Sequence, residues 1–269
     1  NLAKALPKLS KDGLLIDIPL REDILFHDGS EFNAKAMKFS LNRFMRIGTL
    51  NYLLNEKIDN IEVKDEFLLR IKLKKPSSSI KSLLTSVNLT PVSPKSYAEY
   101  TDKFNNNSFV GTGPYYLESF TPSKQILKPY TKYWGKKPLN KGIDFINYNN
   151  SSTLFGAIKT KEIDVLLSNS IYDMQRVALN NMVEKGKLKS GEGNPIEIGF
   201  ITFKSNAFPL ENIKIREALS YSIDRDLISQ QVSLGTREPL RSIVPPTLHK
   251  NNFSLWSKYK PNLARNLLK

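Results

Sequence analysis

Apolar residues fall at two spacings along the chain, alternating with polar ones in some runs and recurring every third or fourth position in others. The alternating runs predict strands. Residues 14–20 ("LLIDIPL") read as one, and residues 58–63 and 68–73, joined by "KDEF", read as a hairpin in which Leu69, Ile71 and Leu73 alternate with Arg70 and Lys72. Further strands are expected at 115–120, 124–130, 143–148 and 196–203, and another after Lys161 in "EIDVLL". Met37, Leu41 and Phe44 fall at i, i+4 and i+7, which predicts a helix from Ala34. Asp28-Gly29 forms the turn before it, Asn33 caps it, and Arg43 and Arg46 sit toward its C-terminal end.

Shorter helices are expected in "SIKSLLTSV", after the Pro-punctuated "TPVSPKSYAEY", from Ser151 or Ser152 (as cap) to about Thr160, and at 171–185. Ile215, Ala218, Leu219, Ser222 and Ile223 make the stripe of a further helix, and Asp224 caps the one after it. Pro261, with Leu263 and Leu267, opens the last. Strands and helices mix without a repeat of fixed period, so the class is α/β or α+β, in at least two subdomains with junctions near Gly111 and Gly193.

Composition narrows the function. With 269 residues, 40% hydrophobic and 25% charged, the chain has the profile of a globular protein. No apolar run is long enough to span a bilayer, and no signal-peptide pattern opens the chain. The absence of cysteine excludes disulfides, thiolate nucleophiles and cysteine zinc sites, and is compatible with an oxidising compartment. The net charge of +14 raises nucleic acid or another polyanion as a partner. The lysines, however, are scattered from Lys4 to Lys269 with no block of five like charges, which favours a solvated surface.

Signatures of catalysis are missing. His27 and His249 are far apart in sequence and form no HExxH or His-x-His pairing; His27 reads as a turn residue beside Asp28-Gly29. No G-x-S-x-G elbow occurs, and neither Gly111-Thr112-Gly113 nor Gly191-Glu192-Gly193 extends to a phosphate-binding G-x-G-x-x-G. Both glycine pairs read as turns or hinges. Tyr115, Tyr116, Tyr130, Tyr133 and Trp134 cluster in one strand-loop-strand unit, where a base-stacking platform competes with core packing and a cleft wall. Arg237 and Arg241 either meet an acidic group or stay solvated, while Arg216 and Asp224 read as structural. The chain has the marks of a binder more than of an enzyme.

Five phrases occur in an order that carries a resemblance. They are Leu20-Arg21 through Arg43, containing "FHDG"; "VGTGPYYLESF"; "YTKYWGKKPLNKGIDFINYNNSSTLFGAIKTKEIDV"; "FITFKSNAFPLENIKIREALSYSIDRDLI"; and "SIVPP". Together they resemble the family 5 extracellular solute-binding proteins, the peptide- and nickel-type receptors of ABC importers. Departures are local: Lys161 stands where the family has Gly before Glu162-Ile163-Asp164, Lys204 stands where an Asn follows Phe203, and Ala36-Met37 replaces Asp-Val. If position 161 is a left-handed helix cap, a residue other than Gly there costs on the order of 1 kcal/mol.

The resemblance implies a periplasmic-binding-protein-like fold, α/β with an α+β subdomain included, in a type II-like bilobal architecture only partly covered by this chain. It implies that the sequence is a central portion of a longer one: 1–110 as an extra subdomain beside lobe I, 111–192 as part of lobe I, and 193–269 as the beginning of the second lobe. A peptide or similar small solute is then bound in the interlobe cleft, without covalent chemistry or cofactor, and delivered to the permease subunits of the importer. The expected place is the periplasm or extracellular face, with a preceding segment as the site of any membrane anchor; the expected state is a monomer without nucleic acid. Gly111, Thr112 and Gly113 are expected at one lobe crossing and Gly191, Glu192 and Gly193 at the other, with Asn194, Ile198, Gly199 and Phe200 at the cleft edge. For 198–200 a surface linker feeding a core strand is the competing expectation. The competing function is a basic protein that binds nucleic acid or another polyanion.

Overall fold

Alternation along residues 15–19 and 68–73 buries Ile16, Ile18, Leu69, Ile71 and Leu73 on one sheet face and leaves Asp17, Arg70 and Lys72 on the other. The computed structural model that shows this describes residues 1–97, 109–167, 170–193, 198–240, 242–244 and 258–269. Two units divide the chain, Asn1–Asn147 and Tyr148–Lys269.

In the first unit β1 (Lys8–Leu9), β2 (Leu15–Pro19), β3 (Ile58–Asp65) and β4 (Leu68–Leu73) form an antiparallel sheet in the order β1-β2-β4-β3. The register sets Lys8 opposite Asp17, Asp17 opposite Arg70 and Arg70 opposite Glu62, a row of alternating charge across all four strands. Its centre is a two-bond pair: Arg70 Nε and Nη2 each donate to Asp17 at 2.7 Å. This hydrogen bond, joined by the guanidinium charge, holds the Asp17 carboxyl below its ordinary range.

Helix α1 (Ala34–Ile47) covers the apolar face, burying Ala34, Ala36, Ser40 and Leu41. Asn33 caps it, accepting from the Ala36 N–H at 3.1 Å. Two single turns follow, α2 (Tyr52–Asn55) and α3 (Ile80–Leu83), so the helix expected in "SIKSLLTSV" is realised as one turn. A second antiparallel sheet consists of β5 (Tyr115–Phe120), β6 (Lys124–Pro129) and β7 (Ile143–Ile146). The helix expected after "TPVSPKSYAEY" begins within 98–108, outside the described residues.

The second unit is helical among its described residues: α4 (Ser151–Thr160), α5 (Asp173–Glu184), α6 (Ile213–Ser222), α7 (Arg225–Val232) and α8 (Pro261–Leu267). Asn150, not Ser151 or Ser152, caps α4. Its backbone is still extended and its carboxamide accepts from the Thr153 N–H at 2.9 Å, so the helix begins one residue earlier than a Ser151 cap would give and two earlier than a Ser152 cap. Asp224 caps α7 as expected. The strands expected in "EIDVLL" and at 196–203 are not formed over 162–167 and 198–203. β-branched and aromatic side chains favour a strand only beside another strand, and the described part of this unit has none to pair with.

Lys161 ends α4 with φ +62°, in the left-handed region. Lys161→Gly is therefore expected to stabilise this unit by about 1 kcal/mol. A rise in the urea midpoint with an unchanged slope would bear this out, and an unchanged or lowered midpoint would refute it.

Candidate functional site

The turn at residues 26–30 organises the neighbourhood of the first glycine pair. Gly29 has φ +80°, which brings Ser30 back onto Asp28. Asp28 Oδ1 accepts from the Ser30 N–H at 3.0 Å and the Ser30 hydroxyl at 2.5 Å, and Oδ2 accepts from Ser93 at 2.5 Å and Ser96 at 2.7 Å. Burial alone pushes this carboxyl up. The donors from Ser30, Ser93 and Ser96 outweigh burial and hold it at about 2. Sequence reasoning missed this cage, because Ser93 and Ser96 lie 65 and 68 residues from Asp28 and nothing local points to them.

Gly111, Thr112 and Gly113 lie against the same turn. Five successive carbonyls, from Val110 to Pro114, are each taken by a donor from elsewhere in the first unit. The Ser93 N–H donates to Val110 O at 2.9 Å, the His27 N–H to Gly111 O at 2.9 Å and the Tyr130 N–H to Pro114 O at 2.8 Å. The Trp134 indole N–H donates to Thr112 O at 3.2 Å. His27 Nε2 lies 2.9 Å from Gly113 O; a carbonyl only accepts, so Nε2 carries the proton. The imidazole is flanked by Tyr130 and Tyr116, with centroids 5.0 and 6.4 Å away, and Thr112 is 8% exposed.

The aromatic cluster is consumed by this structure. Tyr130 is buried and donates its hydroxyl to Phe26 O at 2.8 Å. Arg21 lies over the Trp134 ring, 5.4 Å from its centroid, and the Tyr115 hydroxyl donates to Asn140 at 2.5 Å. No exposed ladder of rings is left among these residues for bases to stack on.

The second glycine pair has a different setting. Gly191, Glu192 and Gly193 are exposed and irregular, and a Cβ at either glycine would meet nothing within 4 Å. Asn194 lies outside the described residues. Ile198 is half-buried, Gly199 is exposed, and Phe200 and Ile201 are 57% and 70% exposed, an apolar run without cover among the described residues. Arg237 Nε stands 3.8 Å from Asp173, and Arg216 donates to the carbonyls of Leu210 and Glu211. Arg241 and His249 lie outside the described residues. No group of three or more His, Asp or Glu side chains is placed to hold a metal ion among the described residues, and no described helix is long and apolar enough to cross a membrane.

Known proteins resemble this chain over nearly all of its length. The glutathione-binding protein GsiB of Salmonella typhi is 29% identical over 266 residues, covering 97% of this chain and 51% of that protein. GsiB of Escherichia coli O1:K1 is 29% identical over 269 residues, again 51% of its length. The chain thus spans about half the length of the curated relatives it matches. Among solved structures, NikA from Brucella suis, in complex with Fe(III)-EDTA, superposes with a TM-score of 0.83 at 23% identity, over 100% of this chain and 54% of that one. A dipeptide binding protein from Pseudoalteromonas sp. SM9913, in complex with Met-Leu, gives 0.79 at 24% identity, over 100% and 57%. These two likenesses show a shared fold, matched over a little more than half of each of those chains. The family model for bacterial extracellular solute-binding proteins, family 5 Middle, matches residues 1–269, and the chain belongs to that family.

Proposed function

We propose that the protein is the extracytoplasmic receptor of an ABC importer, capturing a peptide or similar small solute in a cleft between two lobes and delivering it to the membrane permease. The observation that carries this reading is the family match across residues 1–269. The glutathione-binding relatives, at 29% identity, favour a short peptide or modified peptide over a bare metal ion. Such a ligand is gripped through its backbone hydrogen-bonding groups and its charged ends, which tolerates varied side chains. Lobe closure supplies the capture step and no bond is made or broken. The protein acts as a monomer without nucleic acid, at the periplasmic or extracellular face.

In this reading residues 111–113 form one lobe crossing and residues 191–193 the other. Asn194, Ile198, Gly199 and Phe200 stand at the cleft edge. The exposed apolar run at 200–201 supports that placement, since a cleft wall is uncovered until ligand and lobe close on it. The three-part division at Gly111 and Gly193 belongs to the same reading.

Isothermal titration of the protein with glutathione, with the dipeptide Met-Leu and with a nickel–histidine complex tests it. Saturable one-to-one binding of a peptide is expected. Binding of duplex DNA that weakens steeply with salt, with no heat from any of the three solutes, would favour the polyanion alternative and refute the receptor.

A further inference from the structure

We infer that residues 110–114 form a rigid strut and that His27 is its positioning residue, so that Gly111 and Gly113 provide no pivot. The name "crossing" for this segment rests on the receptor reading; its rigidity does not. Glycine in a connecting segment suggests freedom, yet each carbonyl from Val110 to Pro114 is held, by donors drawn from the turn at 26–30, from Ser93 and from the 130–134 loop. The segment is half-buried, with Thr112 buried, so releasing one carbonyl costs its hydrogen bond, and releasing the segment means breaking all five bonds together.

The glycines themselves argue against a pivot. Neither has φ in the left-handed region, and a Cβ would meet only Pro91 O at 3.8 Å from Gly111 or Tyr115 O at 3.9 Å from Gly113. An alanine fits both places without strain. Two of the five bonds come from one residue: the His27 backbone N–H holds Gly111 and its side chain holds Gly113, two residues on. The flanking rings of Tyr116 and Tyr130 fix the imidazole plane, and the Tyr130 hydroxyl holds the carbonyl of Phe26 next to it. The strut is positioned by a ring whose direction is itself fixed.

Four hydrogens report on the strut: the amides of His27, Ser93 and Tyr130 and the indole N–H of Trp134. Hydrogen exchange followed by NMR should find all four protected and exchanging at similar rates, with the imidazole nitrogen shifts of the tautomer protonated at Nε2. His27→Phe keeps a ring between the tyrosines but removes the donor. It should accelerate all four together by about tenfold, while the Leu73 amide, bonded to Leu14 O in the main sheet, keeps its rate. His27→Gln, which carries an amide N–H at similar reach, should restore most of the protection. Gly111→Ala combined with Gly113→Ala should leave the melting temperature unchanged or raise it by a few degrees, by restricting the unfolded chain.

The inference is overturned if the four hydrogens exchange as unprotected loop sites, if His27→Phe affects only the His27 amide, or if the double alanine variant melts several degrees lower. All these readouts are taken without ligand, so their failure would leave the receptor reading standing. A failure to bind solute would equally leave the strut in place.

Discussion

Asp28→Ala is expected to destabilise the first unit by about 3 kcal/mol, because it removes the charged acceptor shared by the hydroxyls of Ser30, Ser93 and Ser96 and the Ser30 N–H. Ser93 is fully buried, and the Ser30 hydroxyl at 3.1 Å is a weaker, uncharged substitute for the lost carboxylate. Asp28→Asn keeps the shape but turns two acceptor positions into N–H donors facing hydroxyls, and about half that loss is expected. Urea unfolding with the midpoint read at fixed slope measures both. A change below 0.5 kcal/mol for alanine, the size of an ordinary surface substitution, would show that the cage does not organise the turn.

The same carboxyl sets an acid limit. Its folded value of about 2 lies below the ordinary 3.8, so the folded state favours the ionised form. Such a group contributes its full stabilisation above the unfolded value, near pH 4, and loses it as the pH falls through 2. A displacement of this size corresponds to about 2 kcal/mol. The loss of stability between pH 4 and pH 2 should shrink by that amount in Asp28→Asn. An identical acid profile in the two proteins would contradict the assignment.

Phe26→Ala is the second large effect, expected at about 4 kcal/mol. Phe26 is fully buried in the core of the first unit, edge-on to Phe32 with ring centroids 6.0 Å apart. Its truncation leaves a cavity beneath the turn that carries His27 and Asp28, and its carbonyl is the partner of the buried Tyr130 hydroxyl. Phe26→Leu refills most of the volume and should cost less than half as much. Equal losses for the two variants would mean that packing at this position is not what matters.

The phrase from Phe26 to Phe44 was legible as local structure. Asp28-Gly29 is a turn, Asn33 is a cap, and the stripe of Met37, Leu41 and Phe44 lies on a helix, because these signals act within a few residues of one another. The hairpin of β3 and β4 was legible for the same reason: its alternating residues face one core. The purpose of the phrase was not legible. Asp28 meets Ser93 and Ser96, His27 meets Gly113, and Phe26 meets Tyr130, all at separations that only the fold closes.

Misreadings arose where a local pattern lacked its tertiary partner. "EIDVLL" and "IEIGFITF" have strand composition, but a strand is completed by a neighbour, and the described second unit offers none. Ser151 and Ser152 were plausible caps until the extended Asn150 took the role. The candidate cleft residues came from the family resemblance and from their place just beyond the hinge-like residues 191–195. Periodicity left Phe200 equally suited to a core strand and to a cleft wall.

Native mass spectrometry of the protein, compared with its mass under denaturing conditions, tests the receptor reading most directly. A bound small molecule that departs on denaturation, or a stoichiometric mass gain on adding glutathione or Met-Leu, is the predicted result, and the added mass would name the solute class. A protein that carries no small molecule, gains no mass from either peptide and retains nucleic acid until high salt removes it would contradict the account.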